Sequence, residues 1–325
     1  MIKLASAEER QTRQATRAAF GPALIELAAE GVAVVAVDAD LSGSTTTAKF
    51  AASSPENAQR LVNVGIAEQN MVGVAAGLSL TGKVAFTGSF AVFGTGRAYD
   101  QIRNTVCYSN LDVKICPTHA GVSVGPDGGT HQMLEDIALM RALPNMRVLV
   151  PADYAAALSA IKLAARTPGP VYVRMGRASV PCVYATGTQM EWGKAQVLRE
   201  GSDVTLIACG VEIEEALMAA AALEVQGISA EVIDAFSVKP LDADTLLASV
   251  AKTRCVVTAE EHSIMGGLGD AVARLLAEHD PVPCESVAVR DHFGKSGQFD
   301  ELMSAFGLDS SAIVAAAERA LDRRS

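Results

Sequence analysis

Short runs of almost purely apolar, largely β-branched residues recur along this chain, each far enough from the next to leave room for a helix. VAVVAVD at residues 32–38, LVNV at 61–64, VAFT at 84–87, VKIC at 113–116, RVLV at 147–150 and VYVRM at 171–175 are of this kind. Helices are expected at residues 12–30, 68–80, 96–109, 134–141 and 153–166. Gly31 should end the first, and Asp153 should cap the last. Strands that are apolar on both faces and alternate with helices predict a parallel sheet covered on both sides. Ligands of such sheets sit beyond the carboxyl ends of the strands. The loops after Asp38, Val64, Thr87 and Cys116 are therefore where chemistry is expected.

GRASVPCVYATGTQMEWG, at residues 176–193, has no period and reads as a linker. The alternation then resumes, with strands expected at 204–208, 230–234, 255–258 and 285–289. Helices are expected at 213–226, 242–252, 268–278 and 313–321. The expected fold class is α/β, with two doubly wound domains: a parallel-sheet domain at residues 12–176, a linker at 177–193 and a smaller α/β domain at 194–325.

The charge balance excludes some partners. With 27 Lys and Arg against 37 Asp and Glu, the net charge is −10, which argues against non-specific nucleic-acid binding. A few local arginines can still hold a small anion. The six cysteines include no C-x-x-C pair and read as free thiols of a reducing cytosol rather than a disulfide framework or a zinc site. No apolar run reaches the ~18 residues of a membrane span, and MIKLASAEERQTRQ has no apolar signal core. A cytoplasmic chain without membrane contact is expected.

The residues that invite chemistry crowd between residues 60 and 131. Glu68 stands at a predicted helix start, where an acid is also favoured simply by the macrodipole. Phe90 and Phe93, in GSFAVFG, follow a strand and suit either core packing or a flat ligand. THAGVSVGPDGGTH, at residues 118–131, holds His119, Asp127 and His131 among glycines that let backbone approach a ligand. Two histidines and an aspartate could also bind a metal, but no H-x-x-x-H spacing supports that, and no metal ligand is assigned. FGKS at 293–296 lacks the earlier glycine of a phosphate-binding loop. GGLG at 266–269 is a helix entry, and His262 is given no role.

VGIAEQNMVGVAAGLSLTGKVAFTGSFAVF, AYDQIR, DGGTHQ and ALMRALPNMRVLVPAD occur in the order seen in the pyrimidine-binding domain of transketolases, the thiamine-diphosphate enzymes, which residues 12–176 resemble. The second half resembles the transketolase C-terminal domain. The resemblance implies a two-carbon ketol transfer from a ketose phosphate donor to an aldose acceptor. It implies that Glu68 bonds N1′ of the cofactor's aminopyrimidine and favours the imino tautomer that deprotonates the thiazolium. That task calls for a carboxyl raised toward neutrality by burial. It implies Phe90 and Phe93 around that ring, with Arg97 and Tyr99 filling the space of a third aromatic where this chain has Gly96. Asp40 is expected toward the thiazolium end. His119, His131 and Asp127 are expected on the sugar hydroxyls and carbonyl, and Arg17, Ser44 and Arg174 on its terminal phosphate. Pro126 and Gly129 depart from the family's usual residues in this loop.

The chain has no Gly-Asp-Gly start for a diphosphate anchor. The resemblance therefore implies a split enzyme, in which an N-terminal transketolase subunit supplies that motif and the Mg2+ ligands, with two copies of each chain. The competing readings are a 2-oxoacid dehydrogenase β subunit, a deoxyxylulose phosphate synthase-like enzyme, and a non-catalytic partner. The synthase lacks a histidine at the His119 position, and retention of Glu68 argues against the non-catalytic partner.

Overall fold

The computed structural model describes residues 2–324; the expected second domain runs to residue 325, which lies outside the described residues. Strands of the first half pair in parallel in the order Arg147–Leu149, Val171–Val173, Val113–Ile115, Val84–Gly88, Val34–Asp38, Leu61–Asn63. Their alternate side chains serve two separate cores. Val34 and Ala36 join the cluster of Phe20, Leu24 and Ala160, whereas Val35 and Val37 join that of Met71, Val72 and Ile102. Helices Phe20–Ala29 and Tyr154–Ala165 thus cover one face and helix Glu68–Ser79 the other, so the strands are apolar throughout rather than alternating.

In the second half, Cys284–Val289, Val256–Ser263, Val204–Ala208 and Ala230–Asp234 pair in parallel, with Gln196–Arg199 antiparallel on the edge. Leu206, Val257 and Ile313 belong to the same apolar cluster as Leu24, so the two sheets share a continuous core. No helix among the described residues is long and apolar enough to cross a membrane.

The structure departs from the sequence expectations in several places. The helix expected at 12–30 begins only at Phe20, and Arg13–Ala15 instead pairs antiparallel with Ser179–Pro181 inside the linker. Pro22 is the physical reason. In a longer helix it would sit in the interior, without an N–H and against the carbonyl four residues back; starting at Phe20 puts it in the first turn. The helix expected at 96–109 is two π-helical segments, Val92–Arg97 and Gln101–Cys107; such wide turns are frequent at functional sites. The polar loop after Asp38 contains short helices, Ser42–Thr45 and Thr47–Ala52. Ser237–Lys239, from the second half, pairs antiparallel with Arg147–Leu149 and becomes the seventh strand of the first sheet.

Candidate active site

Beyond the carboxyl ends of two neighbouring strands the pairing continues. After Val84–Gly88 and Val113–Ile115, Thr118 N–H donates to Ser89 (2.9 Å) and Ala91 N–H donates to Thr118 (2.7 Å). This extended ladder sets Phe90 beside His119, their rings stacked with centroids 3.7 Å apart and planes 22° apart. Phe93 stacks on Phe90 at 6.2 Å and 13°. His131 meets Phe93 edge-on at 5.4 Å and 79°. Both expected aromatics and both expected histidines therefore form one cluster.

Glu68 is the first residue of its helix and only 2% exposed. Arg97 donates to its carboxylate at 2.8 Å and lies 4.5 Å from the centroid of the Phe93 ring. Arg97 thus joins the acid to the aromatic cluster. Tyr99 takes a different place, half-buried against the core cluster that includes Val72 and Ile102. Asp40 is exposed in a left-handed turn just past Val34–Asp38, where Asn63 donates to it at 3.5 Å.

His119 is buried at φ 62°, and its Nδ1 faces the Thr118 hydroxyl at 2.7 Å. Burial, with the charges of Arg17, Arg177 and His131, pulls its pKa down to about 3. The ring is therefore neutral near pH 7, with a nitrogen able to accept and another able to donate. Asp127 pairs with Arg177 at 3.4 Å, and Arg177 also donates to the Val124 carbonyl. Arg17 donates to the carbonyl of Ser44, not its hydroxyl, at 2.6 Å. Its buried Nε has no partner, and burial and the nearby Arg177 lower its pKa from the ordinary value. Arg17 has no carboxylate partner among the described residues, so this corner invites an anion.

Arg174 corrects an expectation, for it does not join this corner. It is 6% exposed, and its Nε donates to Asp136 at 2.7 Å. A terminal nitrogen donates to Asp136 at 3.3 Å and to the Glu261 carbonyl at 2.8 Å. Its donors are spent inside the molecule, between the halves. The cation beside Arg17 is Arg177, which sequence reasoning missed. The available signal was position. Both arginines follow strand Val171–Val173, but Arg174 is still within reach of the buried Asp136, whereas Arg177 lies beyond in the loop.

The loop at 118–131 is held from behind by the second half. Glu261 accepts from Ser123 N–H at 2.5 Å, and Gln132 donates to the Lys295 carbonyl at 2.9 Å. Gly121 has φ +83°, and a Cβ there would collide with the Glu261 carboxyl; a Cβ on Gly129 would meet the Gly294 oxygen at 2.5 Å. These approaches account for glycine at both positions. Burial pushes the Glu261 carboxyl up to about 7, with the charge of Arg174 opposing. Glu212 is wholly buried, both its oxygens lack partners, and its pKa is well above the carboxylate range. His262 is fully buried and accepts from Ala138 N–H at 3.3 Å. Among the described residues, no group of three His, Cys, Asp or Glu side chains is placed to hold a metal.

The family model described as the transketolase pyrimidine binding domain matches residues 12–183, and that of the transketolase C-terminal domain matches residues 193–313. A chain from Methanocaldococcus jannaschii, described as a putative transketolase C-terminal section, is 47% identical over 92% of this chain and 93% of its own length. The 6-deoxy-6-sulfo-D-fructose transketolase subunit SqwH of a Clostridium species, strain MSTE9, is 42% identical over 93% of each chain. A solved structure described as the inactive beta4 tetramer of a split-gene transketolase superposes with a TM-score of 0.88 at 49% identity, covering 96% of this chain and 99% of that one.

Proposed function

The chain belongs to the transketolase family, and from that premise we propose that it is one subunit of a split, thiamine-diphosphate-dependent transketolase. Its reaction moves a two-carbon ketol unit from a ketose phosphate to an aldose. The observation that carries this reading is the joining of buried Glu68, through Arg97, to the cluster of Phe90, Phe93, His119 and His131.

These residues fit the cofactor's pyrimidine end. Parallel aromatic faces suit a flat heterocycle and exclude water, and a buried carboxyl suits a ring nitrogen. When bound, thiamine diphosphate supplies the acidic carbon that reacts with the sugar carbonyl. Glu68 would hold the proton at N1′, with Arg97 orienting its carboxyl. His119, neutral near pH 7, and His131 would bond the donor's carbonyl and hydroxyl oxygens and exchange protons there. Asp127 would take a hydroxyl. Arg17 and Arg177 would hold the terminal anion in place of the expected Arg174, with the Ser44 carbonyl fixing Arg17. Asp40 and Tyr99 are proposed only as more distant walls of the cofactor site.

The diphosphate and Mg2+ end is assigned to an N-terminal subunit, two copies of each chain forming the enzyme. The split-gene structure, described as an inactive tetramer of beta chains alone, supports that reading. So does the sulfofructose enzyme's subunit, which shows that relatives extend to sugars other than pentose phosphates. A cytoplasmic setting is supported by six cysteines that form no disulfide. The test is reconstitution. The chain with its GDG-bearing partner should transfer ketol units, the chain alone should not, and Glu68→Ala should lower turnover by ~10²-fold or more. Ketol transfer by the purified chain alone, or near wild-type turnover by Glu68→Ala, overturns the reading.

A further inference from the structure

On the far side of the segment that backs the histidine loop lies a cavity of about 680 Å3, bounded by strand Cys284–Val289 and helices Phe299–Ala305 and Ser310–Asp322. It contains none of the residues assigned to the ketol-transfer site. Its volume falls within the range of small-molecule sites. Val287, Ala315 and Phe306 give it an apolar wall, and Arg290, Lys295 and Arg319 are its charged lining residues. Among the described residues no carboxylate lines it, in a chain whose net charge is −10. Glu285 pairs with Arg319 at 3.1 Å. Arg290 donates only to the Ser286 carbonyl at 2.8 Å, and Lys295 lies 5.7 Å from the centroid of the Phe306 ring. Neither has an ion-pair partner among the described residues.

The wall that carries Lys295 is held in place. Gln132 grips the Lys295 carbonyl, and a Cβ on Gly294 would strike the Gln132 amide oxygen. The backbone that carries Lys295 is therefore fixed by Gln132, which lowers the ordering cost of binding there. Guanidinium and ammonium groups together suit phosphate oxygens, and the apolar wall suits an organic group attached to them.

We propose that this cavity is a second ligand site, for a phosphate ester with an apolar or aromatic organic part. Because its wall also backs the turn at residues 128–131, such a ligand would press on the histidine loop from behind.

The probes are ADP, adenosine and inorganic diphosphate, titrated calorimetrically into the full chain. ADP should bind with a Kd below ~1 mM, and adenosine and diphosphate should each bind roughly tenfold or more weakly. Arg290→Ala with Lys295→Ala, its fold verified by circular dichroism and melting temperature, should weaken ADP roughly tenfold or more. Arg17→Ala with Arg177→Ala should leave ADP binding unchanged. Three results would overturn the proposal: no ADP binding, equal binding of diphosphate and ADP, or loss of ADP binding in the Arg17 and Arg177 variant but not in the Arg290 and Lys295 variant.

Discussion

Two arginines three positions apart divide the work at the end of one strand, and the division predicts different failures. Arg177→Ala should raise KM for phosphorylated donors by roughly ten- to a hundredfold, the worth of a charge-assisted hydrogen bond, with little change in stability. Arg174→Ala should instead strand Asp136, a fully buried carboxylate, at a cost of about 3–5 kcal/mol. Denaturant melts and donor kinetics on both variants separate the two; a selective KM effect from Arg174→Ala without destabilisation would reverse the assignment. The types of these residues were legible in the sequence, because a basic side chain after a parallel strand is a fair candidate for an anion site. Their partners were not, since Asp136 and Glu261 lie 38 and 87 positions away from Arg174. Glu68, Phe90, Phe93 and the two histidines were more legible, because they fall in a run of motifs whose order resembles that of the transketolase pyrimidine-binding domain, and Glu68, Phe90 and His119 also sit at a helix start or just past a strand.

Helix Glu68–Ser79 carries buried Glu68 at one end and a bare stripe along its open side. Gly73 and Gly77 have open space, with no atom within 4 Å of where a Cβ would stand, and Ile66 and Leu80 flank them at 77% and 74% exposure. That spacing is one helix face. Replacement of Gly73 by Leu should leave the isolated chain folded while weakening assembly with the partner; unchanged assembly by sedimentation would mean the partner docks elsewhere. Asp153 shows how far an element can be read from sequence. Its cap on Tyr154–Ala165 was legible, and its Oδ1 accepts from Ala156 N–H at 2.8 Å. Its Oδ2 also accepts from the backbone of Val183 at 2.7 Å and Tyr184 at 2.8 Å, which no local pattern could reveal. Asp153→Ala should therefore exceed the ~0.5–2 kcal/mol of an ordinary cap, as a denaturant midpoint would show. A loss confined to that range would mean that the linker contacts contribute nothing.

At the scale of the whole molecule, two buried groups titrate in opposite senses: Glu261, which ties the second half to the histidine loop, and His119 within that loop. Glu261, raised to about 7, binds more protons folded than unfolded, so its contribution to stability is present at low pH and lost as pH rises through about 7. His119, lowered to about 3, binds fewer protons folded, so its contribution is present above its unfolded pKa and lost as pH falls toward about 3. Glu261→Gln should flatten the first slope: relative to wild type it should gain stability between pH 5 and pH 8. An unchanged difference at the two pH values would mean Glu261 does not titrate there. The two-domain alternation was evident from the apolar runs, but the crossing of Ser237–Lys239 into the first sheet was not, because a three-residue edge strand leaves almost no pattern. That crossing makes the visible linker a poor place to divide the chain. A fragment ending near residue 190 would carry Arg147–Leu149 as a raw sheet margin, and its complement would carry the missing strand as a loose end. Expressed apart, such pieces should be aggregation-prone; expressed together, they should find each other, as severed halves do when one holds the other's last stitch.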